Sequence, residues 1–193
     1  MTLSVQRQDS YSRGELLLRT ILGPIYILIP HAFLLAFAGI AASVVGFLTF
    51  WAILFTGTYP RGFFDFQLGV LRWSNRLSAT LYHLVDGYPP FFFQDTDNVK
   101  TDCPYPESVG RGSMLLRAIL GAIYVGIPHG IALGVRQIGS SVLLFLAFWV
   151  VLFTGEYPER WHAFNTGSLR WNARMQAYLL WMTDDYPAFS GKE

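Results

Sequence analysis

From Thr20 to Pro60 the chain runs through 41 residues without one Asp, Glu, Lys or Arg. Wound as an α-helix at about 1.5 Å per residue, such a run is roughly 60 Å long. That is about twice the roughly 30 Å of hydrocarbon in a bilayer. A second run, Ala118 to Gly155, carries one charge, at Arg136. Helices of soluble proteins keep a polar stripe, and these runs lack one. The sequence therefore predicts an all-α integral membrane protein. The excess length predicts that each run folds back as a hairpin of two spans, four transmembrane helices in total. The first run is too long for a cleaved signal peptide and lacks a small-residue cleavage site.

The second constraint is an internal repeat. Shifted by 98 positions, residues 13–91 match residues 111–189 at 39 of 79 positions without a gap. "RGELLLRTILGPIYILIPH" becomes "RGSMLLRAILGAIYVGIPH", and "LFTGTYPRGFFDF" becomes "LFTGEYPERWHAF". The chain is one unit written twice: a segment 1–12, unit one at 13–91, a polar linker at 92–110, unit two at 111–189 and a tail at 190–193. In unit one the spacing predicts spans at about 16–37 and 40–56, with a turn near Ala38–Ser43. In unit two it predicts spans at about 114–134 and 139–154, with the turn in "GVRQIGSS", where Arg136 would face water. Ser12 and Glu15 have capping-box spacing.

LFTGxYP reads as an exit corner. Gly57 and Gly155 suit the left-handed residue just past a helix end, Tyr59 and Tyr157 suit a membrane–water boundary, and Pro60 and Pro158 suit the first turn of the next helix. Those next helices, about 60–85 and 158–183, place Phe, Trp and Leu at spacings of three and four against Arg and Asp. That pattern predicts helices lying in the interface plane. Arg7, Arg13, Arg19, Arg61, Arg72 and Arg76, with Arg111, Arg117, Arg160, Arg170 and Arg174 in the second copy, crowd one side of the predicted hairpins. The positive-inside rule then puts both termini in the cytoplasm. The pseudo-twofold axis relating the units would run along the membrane normal.

Net charge is +1 with 14% charged residues, against about 25% in soluble domains. This gives no concentrated basic surface for nucleic acid. Cys103 is the one cysteine, which excludes an intrachain disulfide and a cysteine metal cluster. No P-loop, HExxH, GxSxG or dinucleotide fingerprint occurs, so no cofactor, metal or catalytic residue is assigned.

Three constellations remain. Pro30-His31 and Pro128-His129 put an imidazole inside each first span, next to the carbonyl that proline frees four residues back, Tyr26 or Tyr124. Held by a carbonyl or a neighbouring tyrosine, each histidine would fix helix packing. Taken as a pair, they could form a proton relay or a metal pair, since ionisable groups in a bilayer are functional suspects, although two histidines without carboxylates make a thin metal site. Gly126, Gly130 and Gly134 form a small-residue stripe suited to close helix packing. Arg72-Trp73 with Arg76, and Arg170-Trp171 with Arg174, recur as a charged aromatic motif suited to anionic lipid headgroups or a protein partner.

The joint pattern LFTGxYP, then FxxGxxRWxxR, then DxYPxF resembles a bacterial membrane-protein family of unknown function whose members often carry the unit in tandem. The resemblance covers both units, departs at Phe64, which becomes His162, and implies a bacterial inner-membrane location with no assigned activity. The role expected is non-enzymatic: an accessory, scaffolding or lipid-organising subunit. Its partners would be membrane lipids, anionic phospholipid among them, and other membrane-protein subunits or a second copy. The alternative is a small channel or transporter using kinked first spans with His31 and His129.

Overall fold

The computed structural model describes residues 1–192, and its element order is a repeat. Strand β1 (Thr2–Val5) precedes the long helix α1 (Arg13–Thr56) and a shorter helix α2 (Arg61–Leu81). Strand β2 (Val99–Asp102), the long helix α3 (Arg111–Thr154) and helix α4 (Glu159–Leu179) repeat the order. The chain is mostly helical, built as two similar units, and its two 44-residue helices are long and apolar enough to cross a membrane.

The expected hairpins do not form. Residues 38–43 and 134–141 are helical throughout, so each long run is one helix rather than two spans. Alanine is the strongest helix former, and the Ala38–Ser43 stretch holds three alanines and no proline to stop a helix. The polar residues read as turn signals are satisfied inside the helix or against its neighbour. Ser43 and Ser141 donate to the carbonyls of Gly39 and Gln137 one turn back. Arg136 donates to Ser168 Oγ at 2.8 Å and to the Phe164 carbonyl at 2.9 Å, and lies 4.1 Å over the Phe164 ring. Arg136 thus packs on α4 instead of facing water at a turn.

Pro30 and Pro128 are absorbed by one wide turn in each long helix, Pro24–Leu28 and Ala122–Gly126, in which the next N–H bonds five residues back. This is a π-type insertion, a device common at functional sites. Each long helix ends on a left-handed glycine, Gly57 (φ 76°) or Gly155 (φ 78°), as the corner motif requires. Ser12 Oγ accepts from the Glu15 N–H at 3.3 Å. The Glu15 carboxylate turns instead to the Gly87 N–H, so half of the capping box is built.

Past the corner the chain doubles back. Gln67 donates to the Ala42 carbonyl, Trp73 meets His31, and Arg19 donates to the Thr80 carbonyl. Helix α2 therefore runs antiparallel along α1 and is mostly buried, rather than lying free in an interface plane. Tyr59 and Tyr157, expected at a boundary, are 1% and 0% exposed. Burial pushes both phenols up to about 12, with the Asn165 bond opposing the rise at Tyr157.

The segments read as tail and linker contribute a two-stranded antiparallel ribbon. Its register pairs Leu3 with Thr101, the residue 98 positions on, so the pseudo-twofold axis passes through that pair. The strands are exchanged: Arg72 of α2 donates to the Thr101 carbonyl at 2.9 Å, and Arg170 of α4 to the Leu3 carbonyl at 2.8 Å. Trp73 faces the long helix while Asn75, about 200° further round at 100° per residue, meets the ribbon at Thr101 Oγ1. Three layers result: ribbon, then α2 and α4, then the long helices. The long helices meet at both ends, where Arg13 donates to the Phe153 carbonyl and Arg111 to the Phe55 carbonyl, each at 3.0 Å.

Candidate functional site

Each unit builds one cage from three motifs that sequence reading kept apart. Trp73 Nε1 donates to His31 Nδ1 at 2.8 Å, and Trp171 Nε1 to His129 Nδ1 at the same distance. Phe91 stacks on the His31 ring at 4.2 Å and 9°; Phe189 stacks on His129 at 3.9 Å and 14°. Tyr88 and Tyr186 lean on the same imidazoles, with centroids at 5.4 and 5.3 Å. Their hydroxyls donate to the Tyr26 and Tyr124 carbonyls at 3.3 and 3.2 Å. Those are the carbonyls freed by Pro30 and Pro128. The proline, the histidine, the tryptophan of RWxxR and the tyrosine of DxYP are therefore one device.

An indole N–H can only donate, so Nδ1 of both histidines must accept, and the imidazoles are the Nε2–H tautomer. Both rings are 0% exposed, and Nε2 has no hydrogen-bond partner among the described residues. Protonating either histidine would turn Nδ1 into a donor facing a donor. Each lies in its own cage, and no contact among the described residues joins the two, so the structure does not bring His31 and His129 together as a relay or a metal pair.

A second device closes each unit. Arg19, 4% exposed, donates to the Thr80 and Val85 carbonyls at 3.0 and 2.6 Å and pairs with Asp86 at 3.1 Å. Arg117, Asp184 and the carbonyls of Tyr178 and Thr183 repeat the arrangement. The aspartate of DxYP is thereby tied to the start of the long helix. Between the end of α2 and that aspartate, His83 takes φ 55°, and burial, helped by the Arg19 charge, lowers its pKa to about 4.

The predicted headgroup set is placed differently from expectation. Trp73, Arg76, Trp171 and Arg170 are 2%, 2%, 5% and 9% exposed. Arg76 donates to the carbonyls of Pro90, Phe92 and Gln94, and Arg174 to that of Lys192. Arg72 bonds the ribbon and pairs with Asp95 at 3.2 Å. These side chains meet main-chain carbonyls because the segments after α2 and α4 fold back over them. The glycine stripe also packs on nothing: a Cβ on Gly130 or Gly134 would meet open space, and one on Gly126 would meet only its own helix.

Sequence reading missed a cleft of about 990 Å³ in unit two, lined by Arg7, Arg136, Arg160, Arg170 and Lys192 with Glu159. Unit one has Tyr105 at the position of Arg7 and Phe93 at that of Gly191. Phe93 lies so close to Gly69 that a Cβ there would come within 2.6 Å of it. The cleft's cations suit an anionic group, and the loss of those two rings between copies was its signal in the sequence.

A family model described as a domain of unknown function, DUF4389, matches residues 14–93 and again 113–191. The chain belongs to the DUF4389 family. Both matches end two residues past the stacking phenylalanine, at 93 and 191, so one DUF4389 unit comprises a long helix, its return helix and the segment carrying that ring. No curated protein and no solved structure matches the chain.

Proposed function

We propose that this DUF4389 protein is a non-enzymatic membrane scaffold: an accessory, lipid-organising subunit that presents two long apolar helices to lipid and to membrane-protein partners. One observation carries the reading, an inside-out distribution of the repeated residues. Three pairs of polar side chains common to both units are buried: His31 and His129, Trp73 and Trp171, Arg19 and Arg117. On the long helices, large apolar side chains common to both units point outward: Ile21 and Ile119 at 69% and 73% exposed, Phe47 and Phe145 at 62% and 64%, Phe55 and Phe153 at 72% each. Water-soluble monomers rarely leave contiguous apolar patches beyond a few hundred Å². Polar groups committed to hydrogen bonds rigidify a fold and leave little for chemistry. The cationic cleft of unit two supports an anionic phospholipid as one ligand, since basic side chains at a membrane surface attract such headgroups.

Native mass spectrometry of the gently extracted complex tests the proposal. The expected result is co-purifying phospholipid, with phosphatidylglycerol enriched over phosphatidylcholine and the enrichment reduced in Arg7→Gln with Arg160→Gln. A protein monodisperse in detergent-free buffer with neither lipid nor partner overturns it.

A further inference from the structure

The long helices pose a geometric problem. At about 1.5 Å per residue, 44 residues extend roughly 66 Å, against about 30 Å of hydrocarbon. The exposed stripe alone, Ile21 to Phe55, spans 34 residue steps, or about 51 Å. Crossing about 30 Å would then require a tilt near 54°, beyond the 0–40° range of membrane helices.

The distribution of charge is more telling. In a spanning protein, apolar and polar zones alternate along the helix axis. Here they are separated across it. Helix α2 covers α1 from the level of Ala42 to that of Arg19, and charged groups lie on that covered side along its length. The Arg61–Asp65 pair, with side chains 65% and 53% exposed, stands near the end of α1. Asp102, 69% exposed, stands on the ribbon facing the middle of α2, and Glu15, 45% exposed, near the start of α1. The ribbon's outer edges are bonded to ionised groups, Arg72 and Arg170 on the Thr101 and Leu3 carbonyls and the Asp95 carboxylate on the Thr101 N–H, and such charges are costly at the centre of a bilayer. A bilayer normal drawn along α1 would put that ribbon at mid-membrane.

We infer that both long helices lie parallel to the membrane plane, sunk into one leaflet of a phospholipid bilayer, with the β1–β2 ribbon in the water on that same side. This rests on the membrane reading above and assigns its geometry. The pseudo-twofold axis through Leu3 and Thr101 is then the membrane normal. It carries the stripe of α1 (Ile21, Ile29, Phe37, Phe55) onto that of α3 (Ile119, Ile127, Val135, Phe153), so both face the same way, opposite the ribbon. Trp51 and Trp149, 42% and 44% exposed, flank the stripes, as do Tyr88 and Tyr186 at 44% and 45%, in keeping with an aromatic belt. Arg13 and Arg111, exposed where the long helices meet, suit anionic headgroups.

The test uses the full chain reconstituted in phosphatidylcholine–phosphatidylglycerol bilayers. Oriented circular dichroism of the unaltered protein should give the in-plane helix signature, with the 208 nm band retained; loss of that band, the mark of upright helices, overturns the inference while leaving membrane binding intact. Single fluorophores at Ile21→Cys, Phe33→Cys and Phe55→Cys in a Cys103→Ser background should be quenched to within twofold of one another by a nitroxide at one acyl depth. Ser4→Cys should react with an impermeant maleimide. A depth running from one face through the centre to the other overturns the inference. A chain that does not bind bilayers overturns the membrane reading as well. A detergent-free dimer whose stripe labels are shielded from lipid quenchers assigns the surface to a second copy and overturns both.

Discussion

The Trp–His bond is the most sharply testable element of the cages. Trp73→Phe keeps a ring in the site but removes the N–H that reaches His31 Nδ1 at 2.8 Å. The imidazole is fully buried and its Nε2 is already without a partner among the described residues, so both ring nitrogens would be unsatisfied. Stranding a buried acceptor costs about 1–3 kcal/mol, taken here as about 2. At about 2–4 °C per kcal/mol for a chain of this size, the melting temperature should fall by about 4–8 °C. His31→Phe should cost a similar amount, because it strands the indole N–H instead. The double variant has neither orphan and keeps the stack on Phe91. It should cost about 1 kcal/mol, the net worth of the lost bond, rather than the roughly 4 expected from additivity, a coupling of about 3 kcal/mol. Melting in detergent followed by circular dichroism at 222 nm reads all four states. The Trp171–His129 cycle should agree, since its geometry matches. Additivity within about 0.5 kcal/mol in either cage would refute the claim that this hydrogen bond, rather than ring packing, holds the return helix.

Arg19→Met should be among the most damaging single changes. It leaves Asp86 and two carbonyls without their shared donor, at about 3–5 kcal/mol for breaking one side of a buried pair. Arg61→Met, in a pair whose side chains are 65% and 53% exposed, should change melting by less than about 1 kcal/mol. Stability should also decline in mild acid. His83 has a folded pKa of about 4 against about 6.5 unfolded, so between those values the unfolded chain binds a proton the folded one refuses. Stability is therefore lost as pH falls from 6.5 to 4, by up to about 3 kcal/mol. His83→Asn, which tolerates the positive φ, should flatten that part of the melting-temperature profile relative to the parent; identical profiles would count against the assignment.

The two-unit plan, the uncharged runs and the corners at Gly57 and Gly155 were legible in the chain, because each is written in local composition, spacing or backbone chemistry. The sequence also contained all three cage motifs in each copy, with Trp73 and Trp171 each 42 residues from its histidine. What it did not reveal is that they touch. Periodicity reports which face of a helix is apolar, and on α1 and α3 nearly every face is, so the pattern could not say where the return helix would lie. Nor could it rule out the turn at Ala38–Ser43, since the cue was Arg136, and whether an arginine needs water depends on what packs against it. In the fold Arg136 bonds Ser168 and stacks on Phe164, so it needs no turn in water and the long helix runs on. The short strands were faint for the same reason: Leu3 and Val5 alternate with polar neighbours over only four residues. Their ribbon exists because a distant arginine from the other unit meets each strand's carbonyl. Local chemistry fixed what each segment could be, and contacts between residues far apart in the chain selected which of those forms is adopted, because only burial against a partner makes a polar side chain's demand for water disappear.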